Sequence, residues 1–437
     1  MLKASHKTGL VFFPAFDWAI GPTHPEREER LLYTRDQVFE EGILDVEGIR
    51  EYRPELASVE DVQRVHFCVP DVDSAMTESH YISAGGAMTI GRAVLDGEIE
   101  RGFALVRPPG HHAMRMVHGG RGFCNVNNEA IMIEALRRRY GIRRVAIVDT
   151  DCHHGDGTQD IYWHDPDTLF ISIHQDGRTL YPGSGFPEEQ GGPNALGTTI
   201  NIPLPPNTSD AGYLEIVRDT VLPILEEFEP ELIVNSAGQD NHFSDPLTNM
   251  NFTARGYAEL TTLLKPHIAV LEGGYSIEGA LPYVNMGIIL AMAGLDYGQV
   301  IEPDLCPESI AQSPEVGDYV RRLGELTRRN WRERHDRMAA LRANGQRLQR
   351  RSRRIHYDTS GISERQEETV RLCERCGGAL RIESTADQGW PVLAVHIPPH
   401  ACEDCRRTGR DWFEEGKRGR FGRVFLQDRP EDRFEIA

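Results

Sequence analysis

Five short apolar runs, at residues 104–106, 145–148, 169–173, 232–234 and 268–271, narrow most sharply what this chain can fold into. Each reads as a buried β-strand. Helical stretches lie between them, among them residues 129–140 and 211–227. That alternation predicts an α/β fold, a mainly parallel sheet with helices on both faces. Ligands of such sheets gather outside the carboxyl ends of the strands, so the residues after each run become candidates for chemistry.

The run at 145–148 leads into Asp149-Thr150-Asp151-Cys152-His153-His154-Gly155-Asp156-Gly157. In an extended segment Asp151 and His153 leave the same face, and together they make half of a catalytic zinc or iron site. Asp149, His154 and Asp156 crowd the same place, a density of acid and imidazole that costs stability unless a metal or proton relay uses it. Taken alone, an Asp-x-His is more often a solvated strand end. Three other strand ends add to it. Arg107-Pro108-Pro109-Gly110-His111-His112 presents two adjacent imidazoles. Ser236-Ala237-Gly238-Gln239-Asp240 offers a third, oxygen ligand in Asp240, or an ordinary helix cap. Glu272-Gly273-Gly274-Tyr275 combines close backbone approach with a phenol, or ends in a packed aromatic. Four strand ends with complementary chemistry favour a single site over four coincidences.

Composition sets limits on the rest. At 437 residues the chain is expected to hold a large core and an appendage, and 39% hydrophobic with 26% charged residues fits a globular protein. No apolar run is long enough to span a bilayer, and the start lacks a signal-peptide core, so a cytoplasmic protein with no membrane partner is expected. A net charge of −19 argues against indiscriminate nucleic-acid binding. Arginine almost wholly replaces lysine, with Lys3, Lys7, Lys265 and Lys417 the exceptions, which points to a GC-rich, bacterial genome.

Near residue 310 the character changes. Residues 311–356 read as an Arg-rich helical linker, with Tyr319, Leu323 and Leu326 on one face, between a domain at 1–310 and a module at 357–437. In that module Cys373-x-x-Cys376 and Cys402-x-x-Cys405 form two knuckles flanking strand-like segments. This predicts a small zinc-ribbon-like domain stapled by a structural zinc on four cysteines, with rubredoxin-like iron the minor alternative. The module could dock partners, stabilise the enzyme or make an oligomer contact. The strand-end site lies within residues 107–275, so the module is expected to be separable from turnover of short substrates.

Taken together and in order, these motifs, with His24-Pro25-Glu26, Gly122-Phe123-Cys124-Asn125-Val126-Asn127-Asn128 and Tyr181-Pro182-Gly183-Ser184-Gly185, resemble the histone deacetylase family over roughly residues 8–300. The resemblance implies the arginase-deacetylase fold and a Zn²⁺-dependent deacetylase. It makes Asp151, His153 and Asp240 the catalytic zinc ligands, and His111 and His112 the proton-transfer pair, backed by Asp149 and Asp156. Tyr275 becomes the carbonyl-polarising phenol, and Gly122, Phe123, Tyr181 and Gly274 line the acyl channel. Ser172, with nearby main-chain oxygens, would hold a structural K⁺ or Na⁺, and Arg30 would stand near the acetate exit. Leu247 occupies the place where acetylpolyamine-selective relatives carry an acid, which favours acetyl-lysine in proteins or peptides over acetylpolyamines. A catalytically idle acyl-lysine binder is the remaining alternative, and the intact site residues speak against it.

Overall fold

The computed structural model describes residues 2–343 and 345–437. Its first sheet is built from β1 (Lys3–Phe13), β2 (Glu47–Tyr52), β3 (Arg101–Val106), β4 (Val145–Asp149), β5 (Thr168–Gln175), β6 (Thr199–Leu204), β7 (Leu232–Ala237) and β8 (Ile268–Leu271). All five predicted runs fall inside strands of this sheet. Their order is β2-β1-β3-β8-β7-β4-β5-β6, and every neighbouring pair is parallel.

Alternate side chains of one strand enter opposite cores, as a pleated sheet covered on both faces requires. Phe103 and Leu105 share a core with Val284, Ile288 and Met292 of the helix Leu281–Ala293. Ala104 and Val106 pack instead with Ala84, Ala87 and Ile90 of the helix Glu78–Leu95 and with Ile131 and Leu136 of the helix Asn128–Tyr140. The sheet is thus an α/β layer of the expected class. No helix among the described residues is long and apolar enough to cross a membrane.

The C-terminal part is larger than a two-knuckle ribbon. It is a six-stranded sheet of β9 (Leu348–Tyr357), β10 (Ile362–Arg371), β11 (Leu380–Ala386), β12 (Val392–Ile397), β13 (Arg423–Asp428) and β14 (Arg433–Ile436), in that order. Only β12 and β13 run parallel, joined by the helix Glu403–Gly416. One face packs on that helix through Leu393, Val395 and Phe413. The other shares a core with the first module, where Phe67 and Met116 meet Leu380, Ile382, Val392 and Phe425.

The helical reading of residues 311–356 needs correction at its end. The helix stops at Ala343, and Leu348–Tyr357 is a strand. The cause lies on β10: Arg351 stands opposite Glu368, with its Nε 3.0 Å from the Glu368 carboxylate, and Ser352 stands opposite Glu367. Arg353 also reaches Glu368 (3.0 Å), so one acid on the next strand holds two arginines of this one, a pairing no local periodicity reveals.

Candidate active site

The four strand ends singled out by the sequence are neighbours in space. β3, β8, β7 and β4 stand side by side at the sheet's centre, so His111 and His112, Tyr275, Asp240, and Asp151 with His153 converge from adjacent strands. His153 Nδ1 lies 2.9 Å from Asp240 Oδ2 and 3.2 Å from Asp151 Oδ1. The donor atoms of all three residues lie within 4.8 Å of one another. Both carboxylates are fully buried. The second oxygen of each is held by a main-chain N–H, Gly273 donating to Asp151 (2.7 Å) and Cys152 to Asp240 (2.7 Å). A Cβ at Gly273 would collide with Asp151 and Asp240, and one at Gly238 with Asp151, so only glycine leaves room for this cradle. Two buried carboxylates and one imidazole without an adjoining lysine or arginine ion pair fit a divalent cation with a free coordination position.

The histidine pair sits beside this cluster with ring centroids 4.1 Å apart. His111 Nδ1 donates to Asp149 (3.1 Å) and His112 Nδ1 to Asp156 (2.8 Å), the two predicted backings. Asp156 also accepts from Arg121 through Nε (3.0 Å) and Nη2 (2.5 Å). Burial opposes charge on Asp156, but Arg121 and His112 outweigh it and hold the carboxyl below its usual range. Burial, reinforced by His111, lowers His112 to about 3 and keeps it neutral, with Nε2 available as an acceptor. His111 goes the other way: burial would lower it, yet Asp151 and Asp149 raise it well above the ordinary value.

Tyr275 is held by its own backbone, whose N–H donates to Asp245 (2.7 Å). Burial keeps its phenol protonated by pushing its pKa well above the ordinary value. Phe123 meets Tyr275 edge to face at 5.7 Å, and Tyr181 meets His112 at 5.2 Å. Gly122 and Phe123 form a tight two-residue turn at φ 51° and 72°, closed by reciprocal Arg121 and Cys124 hydrogen bonds (2.9 and 2.8 Å). A left-handed phenylalanine costs about 1–2 kcal/mol, a local strain that aims its ring at the site. Gly274, at φ 126°, turns its carbonyl to the fully buried Arg30 (2.9 Å), whose guanidinium lies 5.0 Å from the centre of the Tyr275 ring. Ser172 pairs in register with Asp149 and shares a hydrogen bond with His174 Nδ1 (2.8 Å). Leu247 is half-buried in the loop that carries Asp245.

Sequence reasoning missed several participants. Glu272 accepts from the Gly110 N–H (2.7 Å) and the His111 N–H (3.0 Å), fixing the histidine turn; its only signal was its place just before Gly273-Gly274-Tyr275. Arg121 and Asp245 carried no spacing signal. Most unexpected is Asp358, from the turn between β9 and β10. It accepts from Tyr181 Oη (2.8 Å) and from the Gly122 N–H (3.2 Å). The rim of the site therefore crosses the expected boundary, and the C-terminal module is not spatially separate from it.

At the far end of β10 the four cysteines converge as well. Cys373 Sγ lies 3.7 Å from Cys402 Sγ and 3.6 Å from Cys376 Sγ, and all four sulfurs lie within 4.8 Å of one another. Four thiolates about 2.3 Å from one tetrahedral ion would stand about 3.8 Å apart, so the donor set fits. The backbone N–H groups of Arg375 and Cys402 point at Cys373 and Cys376 sulfurs, each at 3.4 Å. Replacing Cys373 and Cys402 together by serine should release one equivalent of metal and lower the melting temperature. Unchanged metal content and melting would show that these sulfurs hold no ion.

Residues 68–285 match the histone deacetylase domain family, a stretch that stops short of the second sheet. A probable deacetylase of Archaeoglobus fulgidus is 47% identical over 325 residues, covering 68% of this chain and 89% of that protein. The acetoin utilization protein AcuC of Bacillus subtilis is 30% identical over 388 residues, covering 77% and 98%. An acetylpolyamine amidohydrolase of Burkholderia pseudomallei is 42% identical over 203 residues, covering 45% and 58%. Among solved structures, the HDA15 HD domain superposes with a TM-score of 0.66 at 26% identity, over 78% of this chain and 99% of that one. The chain belongs to the histone deacetylase family. It is accordingly an enzyme, a hydrolase of the deacetylase kind.

Proposed function

We propose that this enzyme removes acetyl groups from acetyl-lysine in proteins or peptides, using Zn²⁺ held by Asp151, His153 and Asp240. The observation that carries this reading is the convergence of those three ligands with the His112–Asp156 pair and Tyr275, with Phe123 and Tyr181 packed against them. When bound, the ion supplies Lewis acidity toward the amide carbonyl and lowers the pKa of a water. The chain's own groups do the rest. Asp156 fixes the His112 tautomer so that Nε2 takes the water proton as the nucleophile attacks. Tyr275 donates its O–H to the oxygen on which negative charge develops. His111, held cationic between acidic neighbours, stabilises the same charge, and an imidazole returns a proton to the departing lysine amine.

Ser172, beside Asp149, is where a structural K⁺ or Na⁺ would sit, and the cysteine cluster would hold a structural Zn²⁺. Eight free thiols, four of them converging, suit a reducing cytoplasm. A second reading, hydrolysis of acetylpolyamines, draws support from the similarity to an amidohydrolase named for that activity. Turnover of a fluorogenic acetyl-lysine peptide measured beside acetylspermidine decides between them. Higher kcat/KM on the peptide is expected; a clear advantage for acetylspermidine would overturn the choice of substrate.

A further inference from the structure

The β9–β10 hairpin comes from the second sheet yet ends against Gly122 and Tyr181, beside the candidate active site. Its anchor is Tyr357, fully buried, whose hydroxyl donates to the Met116 carbonyl at 2.8 Å. From there the turn lies along Gly119 to Gly122. Ser360 Oγ accepts from the Gly120 N–H (2.9 Å), and a Cβ at Gly119 would stand 2.6 Å from the Ser360 side chain. Arg121 donates to the His356 carbonyl (2.5 Å). Asp358, at the tip, accepts from Tyr181 and Gly122 while its side chain stays 34% exposed.

The charges around this tip do not balance. Arg121 is committed to Asp156, and its Nη1 stands 4.0 Å from Asp358. One guanidinium thus faces two carboxylates, which leaves one negative charge. Asp156 is nearly buried, so the charge available to an incoming molecule is that of Asp358. It sits on the hydroxyl of Tyr181, whose ring packs against His112.

We infer that Asp358, supplied by the C-terminal sheet, is a specificity-determining residue that selects substrates carrying a positive charge close to the scissile acetamide. This rests on the deacetylase reading above. The cation could be a basic side chain flanking acetyl-lysine or the second amine of an acetylated polyamine, and both offer the same ammonium or guanidinium chemistry.

Asp358→Asn separates charge from architecture, because the amide oxygen still accepts from Tyr181 and Gly122. kcat/KM should be measured for three substrates: an acetyl-lysine peptide flanked by arginine, the same peptide flanked by alanine, and acetylspermidine. The wild type should prefer the arginine-flanked peptide by about 2–5-fold, as a partly exposed ion pair allows, and the preference should shrink with added salt. In Asp358→Asn the ratio of kcat/KM between the two peptides should fall to about unity, whatever the change in absolute rate, and Asp358→Glu should restore it. Loss confined to acetylspermidine would name the polyamine as the cation's source. An unchanged preference in a variant that melts like wild type would overturn the inference alone. Absence of wild-type turnover on every arm would overturn the deacetylase reading, and this inference with it.

Discussion

Asp240→Ala should leave a folded protein that no longer retains metal at the strand-end site and no longer deacetylates. The alanine removes one of two buried anionic donors, and the ion that would join Asp151 to Asp240 loses half of its charge compensation. A Lewis acid contributes several kcal/mol to the barrier, so kcat should fall by about 10²–10⁴-fold or more. Asp151→Ala should behave alike. Metal analysis and peptide turnover check both, with a chelator and re-added Zn²⁺ on the wild type as the reversible counterpart. Full metal content and full activity in both variants would remove the ligand assignment altogether.

His112→Ala is expected to lose about 10²–10⁴-fold in kcat with little change in substrate binding, the range typical of a missing general acid-base group. The neutral ring of His112, its Nδ1 committed to Asp156, suits proton transfer at Nε2. His111 lies deeper in the acidic cluster, within 3.8 Å of Asp151, and in the proposed mechanism its role is electrostatic. His111→Ala should therefore be harmful but milder. Single-turnover kinetics on both variants distinguishes the two, and a deader His111 variant would mean that the roles are reversed.

Much of the candidate site was legible because a parallel strand buried on both faces is a short apolar run, and the residues that converge there follow at once in sequence. Asp149, Asp151, His153, Asp240 and Tyr275 were found that way. The helix Glu78–Leu95 left a poorer trace, since Gly85, Gly86 and Gly91 interrupt its pattern. Those glycines serve packing: a Cβ at Gly86 would press within 2.8 Å of Val106, and one at Gly91 within 2.8 Å of Leu136. The edge strand Glu47–Tyr52 is polar and mostly exposed, so burial left no signature on it. Asp358 and Arg121 were beyond local reading for another reason. Their meaning comes from contacts that span 235 and 236 positions of the chain, and nothing in a turn of Asp-Thr-Ser-Gly says what it will lie against.

The position of β8 has a consequence for how the site is built. β8 pairs with β3 on one side and β7 on the other, so it is the strand that closes the middle of the sheet. β4 and β7 pair directly and carry Asp151, His153 and Asp240, whereas β3 and its two histidines join that half of the sheet only through residues 268–271. The sheet beneath the site is therefore continuous only with β8 in place, and the same short strand leads into Tyr275.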